Sequence, residues 1–260
     1  MRNIARSAAV KLNEKEAILL GILYTDGCLS KKSENCWRFY LSNTSYEIIQ
    51  AFKDCMIELF DLDDHRVRIS QKIVNGKPFY KAVVDSGACG NLLTAKYGTF
   101  RTLAFKSADG VKSYPPTKLP FNQKTSKILI SKFLQAAFSC DGGVKLYVAK
   151  MSKTEYRFLI RNVFLSCHHP QLRLDYIDLL TLLGINAKIL QDDNRIIIQG
   201  RADLQKFRNK IGFLKGVKIT QHSRFWQGWE KNQVLDLLLS SYSKDDRKKI
   251  LGLARFRIMR

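Results

Sequence analysis

The sequence predicts an α+β protein made of two pseudo-symmetric αββαββα units, each built on a four-stranded antiparallel sheet. Three observations carry this. A nine-residue run recurs: residues 19–27 read LLGILYTDG and residues 134–142 read LQAAFSCDG, each an apolar helical stretch ending in Asp-Gly. The element signals that follow each run come in the same order. Between the copies, residues 107–125 (SADGVKSYPPTKLPFNQKT) hold Pro115, Pro116 and Pro120 and read as an extended linker.

After the first run, WRFYLS (37–42) alternates as a strand does, and YEIIQAFKDCMIELF (46–60) has the period of an amphipathic helix. HRVRIS (65–70) and FYKAVV (79–84) read as strands, and a helical segment starts at Asn91. After the second run come LYVAK (146–150) and RFLIRNVFL (157–165), then the helix QLRLDYIDLLTLLG (171–184). AKIL (187–190), RIIIQ (195–199) and a helix from Ala202 complete the copy. A helix around Val234–Ser240 precedes the basic end KDDRKKILGLARFRIMR. The expected divisions are therefore 1–106, a linker at 107–125, 126–230, and a basic extension at 231–260.

Composition narrows the partner. The 260 residues carry 44 Lys plus Arg against 23 Asp plus Glu, a formal charge of +21, yet 45% are hydrophobic and 11% aromatic. A disordered basic chain lacks that apolar content, so the charge sits on a folded body and calls for a polyanion, nucleic acid before an anionic membrane. No apolar run reaches the roughly 18 residues of a membrane span. The start, MRNIARSAAVKLNEKE, has no apolar core of a secretory leader; its faint similarity to a mitochondrial presequence is disfavoured by its shortness and its run into a helix. The six cysteines form no CxxC pair and are expected as reduced thiols in an intracellular protein.

Within the repeated runs, the third and seventh positions are Gly21 and Thr25 in one copy and Ala136 and Cys140 in the other. Small residues four apart share a helical face and let two backbones approach closely. The two helices are expected to pack through that seam, leaving Asp26 and Asp141 side by side, with Gly27 and Gly142 turning the chain out. Two adjacent carboxylates repel unless a cation neutralises them, and a hard divalent ion such as Mg²⁺ fits oxygen ligands.

These two runs, each followed by ββαββα in a strongly basic chain, resemble the signature helices of single-chain, two-repeat LAGLIDADG homing endonucleases. The resemblance spans residues 13–230. It implies a saddle of two sheets over the DNA major groove and cleavage of both strands across the minor groove, leaving 3′ overhangs. It further implies a monomer, with two or three Mg²⁺ ions per DNA complex held by Asp26 and Asp141 with the carbonyls of Thr25 and Cys140. A polar residue near the sheet–helix junction often orients the attacking water in this family. Asn43 is the counterpart in the first copy, and Ser166 or Cys167 in the second. The family's basic residue near the phosphate could be Lys145, Lys215 or Lys218. Intron RNA is a possible further partner, because maturases share the fold; a non-catalytic DNA-binding regulator is the other alternative.

Alternation assigns strand faces. Arg38, Tyr40 and Ser42 oppose Phe39 and Leu41; Arg66, Arg68, Ser70 and Lys72 oppose Val67 and Ile69. Lys81, Arg157, Arg161, Arg195 and Gln199 join the DNA-facing candidates, although Leu159 and Ile197 share faces with the last four. Arg and Gln suit guanine and adenine edges in the major groove, and lysines suit phosphates. AVVDSGA (82–88) resembles one aspartic-protease motif, but a second copy is missing, so it reads as a strand end with a turn. Cys167-His168-His169 lacks a second ligand pair for zinc. Trp226 and Trp229, at helical spacing, read as packing residues.

Overall fold

The computed structural model describes residues 12–106, 112–150, 157–190, 194–221 and 223–243. The N-terminal start and the basic end from Lys244 lie outside the described residues. Helix α1 (Glu14–Leu23) opens where the Asn13 side chain accepts from the Glu16 N–H at 2.9 Å. Its second-copy counterpart, α4 (Lys127–Asp141), runs beside it. Ala17, Leu19, Leu20, Ile22 and Leu23 on α1, and Ile130, Phe133, Leu134, Ala136, Ala137 and Phe138 on α4, are all fully buried. A helix apolar on every side belongs at the centre of a molecule, and these two form its axis.

Each axial helix feeds a sheet. In the first copy, β1 (Gly27–Ser33), β2 (Cys36–Asn43), β3 (Arg68–Val74) and β4 (Lys77–Asp85) pair antiparallel in the order β1-β2-β4-β3. Helix α2 (Tyr46–Phe60) packs Ile48, Ile49, Phe52, Cys55 and Met56 into the core, and α3 (Gly87–Tyr97) follows β4. The second copy repeats this with β7 (Gly142–Lys150), β8 (Arg157–Ser166), α5 (Pro170–Leu182), β9 (Lys188–Leu190), β10 (Arg195–Gln199) and α6 (Arg201–Lys210), in the order β7-β8-β10-β9. Between the copies lies a two-stranded ribbon, β5 (Phe105–Lys106) with β6 (Lys112–Ser113). Helix α7 (Lys231–Ser240) closes the described chain, burying Val234, Leu235 and Leu238 against β7 and α6.

Several boundaries differ from the sequence reading, each for a local reason. Residues Asp64–Arg66 form a 3₁₀ turn, so β3 begins three residues after His65 and Arg66 is not on it. Helix α3 starts at Gly87 rather than Asn91, because the Ser86 side chain caps the Cys89 N–H. The hairpin β3–β4 turns at Asn75-Gly76, both at positive φ, as a two-residue loop requires. Gly27 and Gly142 do not turn the chain through a left-handed φ: neither has positive φ, and each is the first residue of a strand. Glycine is needed there for space, since a Cβ would lie 2.8 Å from Leu23 Cα and 2.5 Å from the Phe138 carbonyl oxygen.

The described part of the linker is extended but anchored. Thr117 and Leu119 are buried, and the Leu119 N–H donates to Asp175 on α5. His169, buried at the N-cap of α5, accepts from the Leu172 N–H through Nδ1; its Nε2 therefore carries the proton and donates to the Pro115 carbonyl at 2.8 Å. Trp226 and Trp229 do pack, edge to face at 5.4 Å, but in a loop: Trp226 has φ 58° and its indole N–H donates to the Leu146 carbonyl. All six cysteines are free thiols. Among the described residues no helix is long and apolar enough to cross a membrane.

Candidate active site

The seam between α1 and α4 brings the predicted small residues together. A Cβ placed on Gly21 would lie 2.4 Å from the Phe133 carbonyl oxygen and 2.8 Å from Ala136 Cβ, so the backbones touch there. One turn on, Thr25 meets the Cys140 thiol, and the Thr25 hydroxyl donates to the Gly21 carbonyl at 2.8 Å. The helices leave no room for larger side chains, and the residues that end them must lie together.

Asp26 and Asp141 come within hydrogen-bonding reach of each other. Both carboxyls are pushed above the usual carboxylate range. Burial is the main cause for each, and the charge of Asp26 adds to it at Asp141, which rises to about 7. Asn43 Nδ2 donates to Asp26 Oδ2 at 2.7 Å, and its own Oδ1 accepts from the Ser45 N–H, so the amide is held from both ends. The β-register identifies the second-copy counterpart. Gly27 pairs with Leu41 and Gly142 with Leu165, so Asn43, two residues beyond Leu41, corresponds to Cys167 rather than to Ser166. The Cys167 thiol donates instead to the His169 carbonyl, and burial pushes it up to about 12. The acid pair is thus matched in carboxylates and unmatched in the groups beside them.

The sequence reading missed Lys231. Its Nζ is buried and donates to the Ser139 carbonyl at 2.6 Å and the Gly142 carbonyl at 2.7 Å, on either side of Asp141. This caps the negative end of α4 with a cation. Burial lowers the ammonium to about 8, against the opposing pull of Cys140, Asp26 and Asp141. Its sequence signal, a lysine opening an amphipathic helix, is indistinguishable from many others. Of the expected lysines, Lys145 shares with Asp141 and Lys231 a cleft of about 520 Å³. Lys218 does not. It forms an isolated antiparallel bridge with Glu230 and lines a separate cleft against Thr44, Ser45 and Glu47 at the start of α2. Lys215 is exposed. A further cleft of about 730 Å³ opens on both acids and is lined by Tyr40, Arg101, His168 and Tyr176.

The donor set suits a hard divalent cation in one respect: two half-buried carboxyls in contact are costly without one. Among the described residues, no group of three or more His, Cys, Asp or Glu side chains could hold a metal alone. Any remaining ligands would be backbone carbonyls such as those of Thr25 and Cys140, solvent, or the substrate itself.

The sheets' open faces flank this pair. On the first, Arg38, Tyr40 and Ser42 of β2 pair with Asp85, Val83 and Lys81 of β4, and Arg68, Ser70 and Lys72 of β3 pair with Val83, Lys81 and Phe79 of β4. The opposite face, with Phe39, Leu41, Ala82 and Val84, is buried. On the second sheet, Lys145 pairs with Asn162, Arg195 with Ser166, and Gln199 with Asn162, all on the open side. Phe164 and Ile197 share that side, making it less polar than the first. Arg161, expected on the DNA-facing side, is not there. It lies on the same face as the buried Leu159, Val163 and Leu165, and its guanidinium donates to Ser241 Oγ and O and stacks on Tyr242 at 4.5 Å. Arg157 lies on β8, but its side chain is outside the described residues.

The sequence pattern of the LAGLIDADG-like domain matches residues 129–212, which run from α4 through α6. The second repeat thus resembles a LAGLIDADG-like domain over these residues. The whole chain has the fold of two-repeat LAGLIDADG endonucleases. The I-LtrWI LAGLIDADG homing endonuclease, solved bound to target DNA, superposes with a TM-score of 0.54 at 10% identity, covering 92% of this chain and 95% of that one. The meganuclease I-SmaMI, solved bound to uncleaveable DNA, gives 0.52 at 10% identity, covering 94% and 98%. No curated protein sequence matches this chain significantly. The matched segment includes the end of α4 with Asp141, and Asp26 lies at the corresponding place after α1.

Proposed function

We propose that the chain is a monomeric, site-specific, divalent-metal-dependent endonuclease that cuts both strands of a long DNA duplex across the minor groove, leaving 3′ overhangs. One observation carries this: two half-buried carboxyls, one in the turn after α1 and one at the end of α4, meet at a seam flanked by two sheets that carry basic and amide side chains on their open faces. That I-LtrWI and I-SmaMI share the fold and were solved on DNA supports the duplex as partner.

Asp26 and Asp141 would hold Mg²⁺, with the carbonyls of Thr25 and Cys140. A divalent ion bound there neutralises the acids and polarises a scissile phosphodiester. The protein's own groups do the rest. Asn43 fixes the rotamer of Asp26 through a 2.7 Å hydrogen bond. Lys231 adds a buried positive charge that holds both acids lower than burial alone would. Lys145 stands on the open face beside Asp141, within reach of a phosphate delivered by the second sheet. Arg38, Arg66, Arg68, Ser70, Lys72 and Lys81 from the first copy, and Arg195 and Gln199 from the second, would contact the duplex.

The test is cleavage of a target selected from a random duplex library. Asp26→Asn or Asp141→Asn is expected to abolish double-strand cutting in Mg²⁺ while binding in Ca²⁺ persists. Wild-type cutting rates in either variant would overturn the assignment.

A further inference from the structure

Asp85 stands out on the open face of the first sheet as an acid among bases. It is the last residue of β4 and pairs across the ladder with Arg38. Arg38 donates Nε to Asp85 Oδ1 and Nη2 to Oδ2, both at 2.7 Å, a bidentate pair that fixes the guanidinium plane. Arg68, from β3, donates Nη2 to the same Oδ2 at 2.7 Å. Arg66, from the 3₁₀ turn, donates to the Asp85 carbonyl at 3.3 Å. Three arginines from three elements therefore converge on one residue. The Arg38 hydrogen bond holds the carboxyl well below the usual range, so it is charged at any pH at which DNA would bind.

The half-buried, bidentate Arg38–Asp85 pair can add to the stability of the sheet, but that does not account for the third partner: the Arg68 side chain is 63% exposed, and ion pairs this open contribute little to folding. Raw affinity does not account for it either, because a carboxylate beside the groove repels phosphates and removes basic charge from the interface. What it does supply is order. A free arginine is long and many-rotamered and swings readily to the nearest phosphate. One clamped through Nε and Nη2 still presents Nη1, but in a fixed plane.

Resting on the DNA-cleaving reading above, we propose that Asp85 is a specificity-determining positioning residue, which clamps Arg38 and Arg68 toward base edges and away from phosphates. The acid trades general affinity for discrimination.

The experiment selects binders from a randomised double-stranded DNA library, in Ca²⁺, with the full chain as wild type, Asp85→Asn and Asp85→Ala; thermal melts establish that each variant is folded. The expected result is confined to one half-site. Guanine preference at the bases facing the first sheet falls about tenfold in both variants, the loss of a bidentate base contact. The half-site under the second sheet keeps its sequence. Affinity for unselected duplex rises in the variants, with a log–log salt slope steeper by about one. Unchanged selection in both half-sites would overturn the proposal. So would a loss spread evenly over both, which a merely structural role produces. Failure of the wild type to enrich any sequence would sink the DNA reading itself, and the proposal with it.

Discussion

Burying two carboxylates side by side is unfavourable, and the chain answers with Lys231, which sits against the carbonyls on both sides of Asp141. The balance is still positive for protonation: Asp141 rises to about 7, from about 3.9 in an unfolded chain. Between those values the folded protein keeps a proton that the unfolded chain has released, so stability falls as pH rises through the window from about 4 to 7. Asp141→Asn removes this titration. In chelator, thermal melts are expected to show the wild type losing midpoint from pH 4 to pH 7 relative to the variant, with the variant more stable at pH 7.5. A difference that does not change with pH would refute the linkage. The acids themselves were legible in the sequence, because each ends a repeated run. Lys231 was not, because only folding brings residue 231 beneath residue 141, and nothing in its neighbours marks it.

At the scale of elements, the seam is the most demanding contact. Gly21→Ala puts a methyl 2.4 Å from a backbone oxygen that belongs to the opposite axial helix and has little freedom to move. The expected cost is about 1–3 kcal/mol, by denaturant titration, and on the proposed reading a matching loss of cutting because the acids separate. Ala136→Gly in the same background should recover part of it; no loss in Gly21→Ala would show that the helices pack elsewhere. The repeated small residues made this contact readable. Strand faces were readable only where alternation was clean. On β2 and β4 buried Phe39, Leu41, Ala82 and Val84 alternate with polar residues, and the assignments of Arg38 and Lys81 hold. On β8 the apolar residues fall on both faces, and Arg161 went to the wrong one because its partners, Ser241 and Tyr242, lie 80 or more residues away. Asp85 was read only as a strand end, because alternation places a residue on a face without saying which neighbour it grips.

For the whole molecule, the pseudo-symmetry is tight in the backbone and loose in the side chains. Both sheets share one strand order, and an acid precedes the first strand of each, Asp26 in the turn after α1 and Asp141 at the end of α4. Yet Asp26 is held by Asn43, while the residue in the equivalent place beside Asp141 is Cys167, whose thiol is turned to His169. Removing an orienting hydrogen bond next to a metal ligand typically lowers activity by about 10–100-fold. On the proposed reading, one strand of a supercoiled plasmid target is cut first and a nicked circle accumulates. Cys167→Asn is expected to shorten the life of that intermediate, and Asn43→Cys to slow the first nick. Simultaneous cutting of both strands by the wild type would count against the asymmetry.

The anchored linker has a consequence for how the halves find each other. By sequence it is a tether of 19 residues; in the structure Pro115 is already bound to His169, and Leu119 to Asp175, both in the second repeat. Each contact shortens the free span between the repeats. A shorter tether raises the effective concentration of one axial helix about the other and lowers the entropy lost when they join. His169→Ala would lengthen the leash without touching the seam.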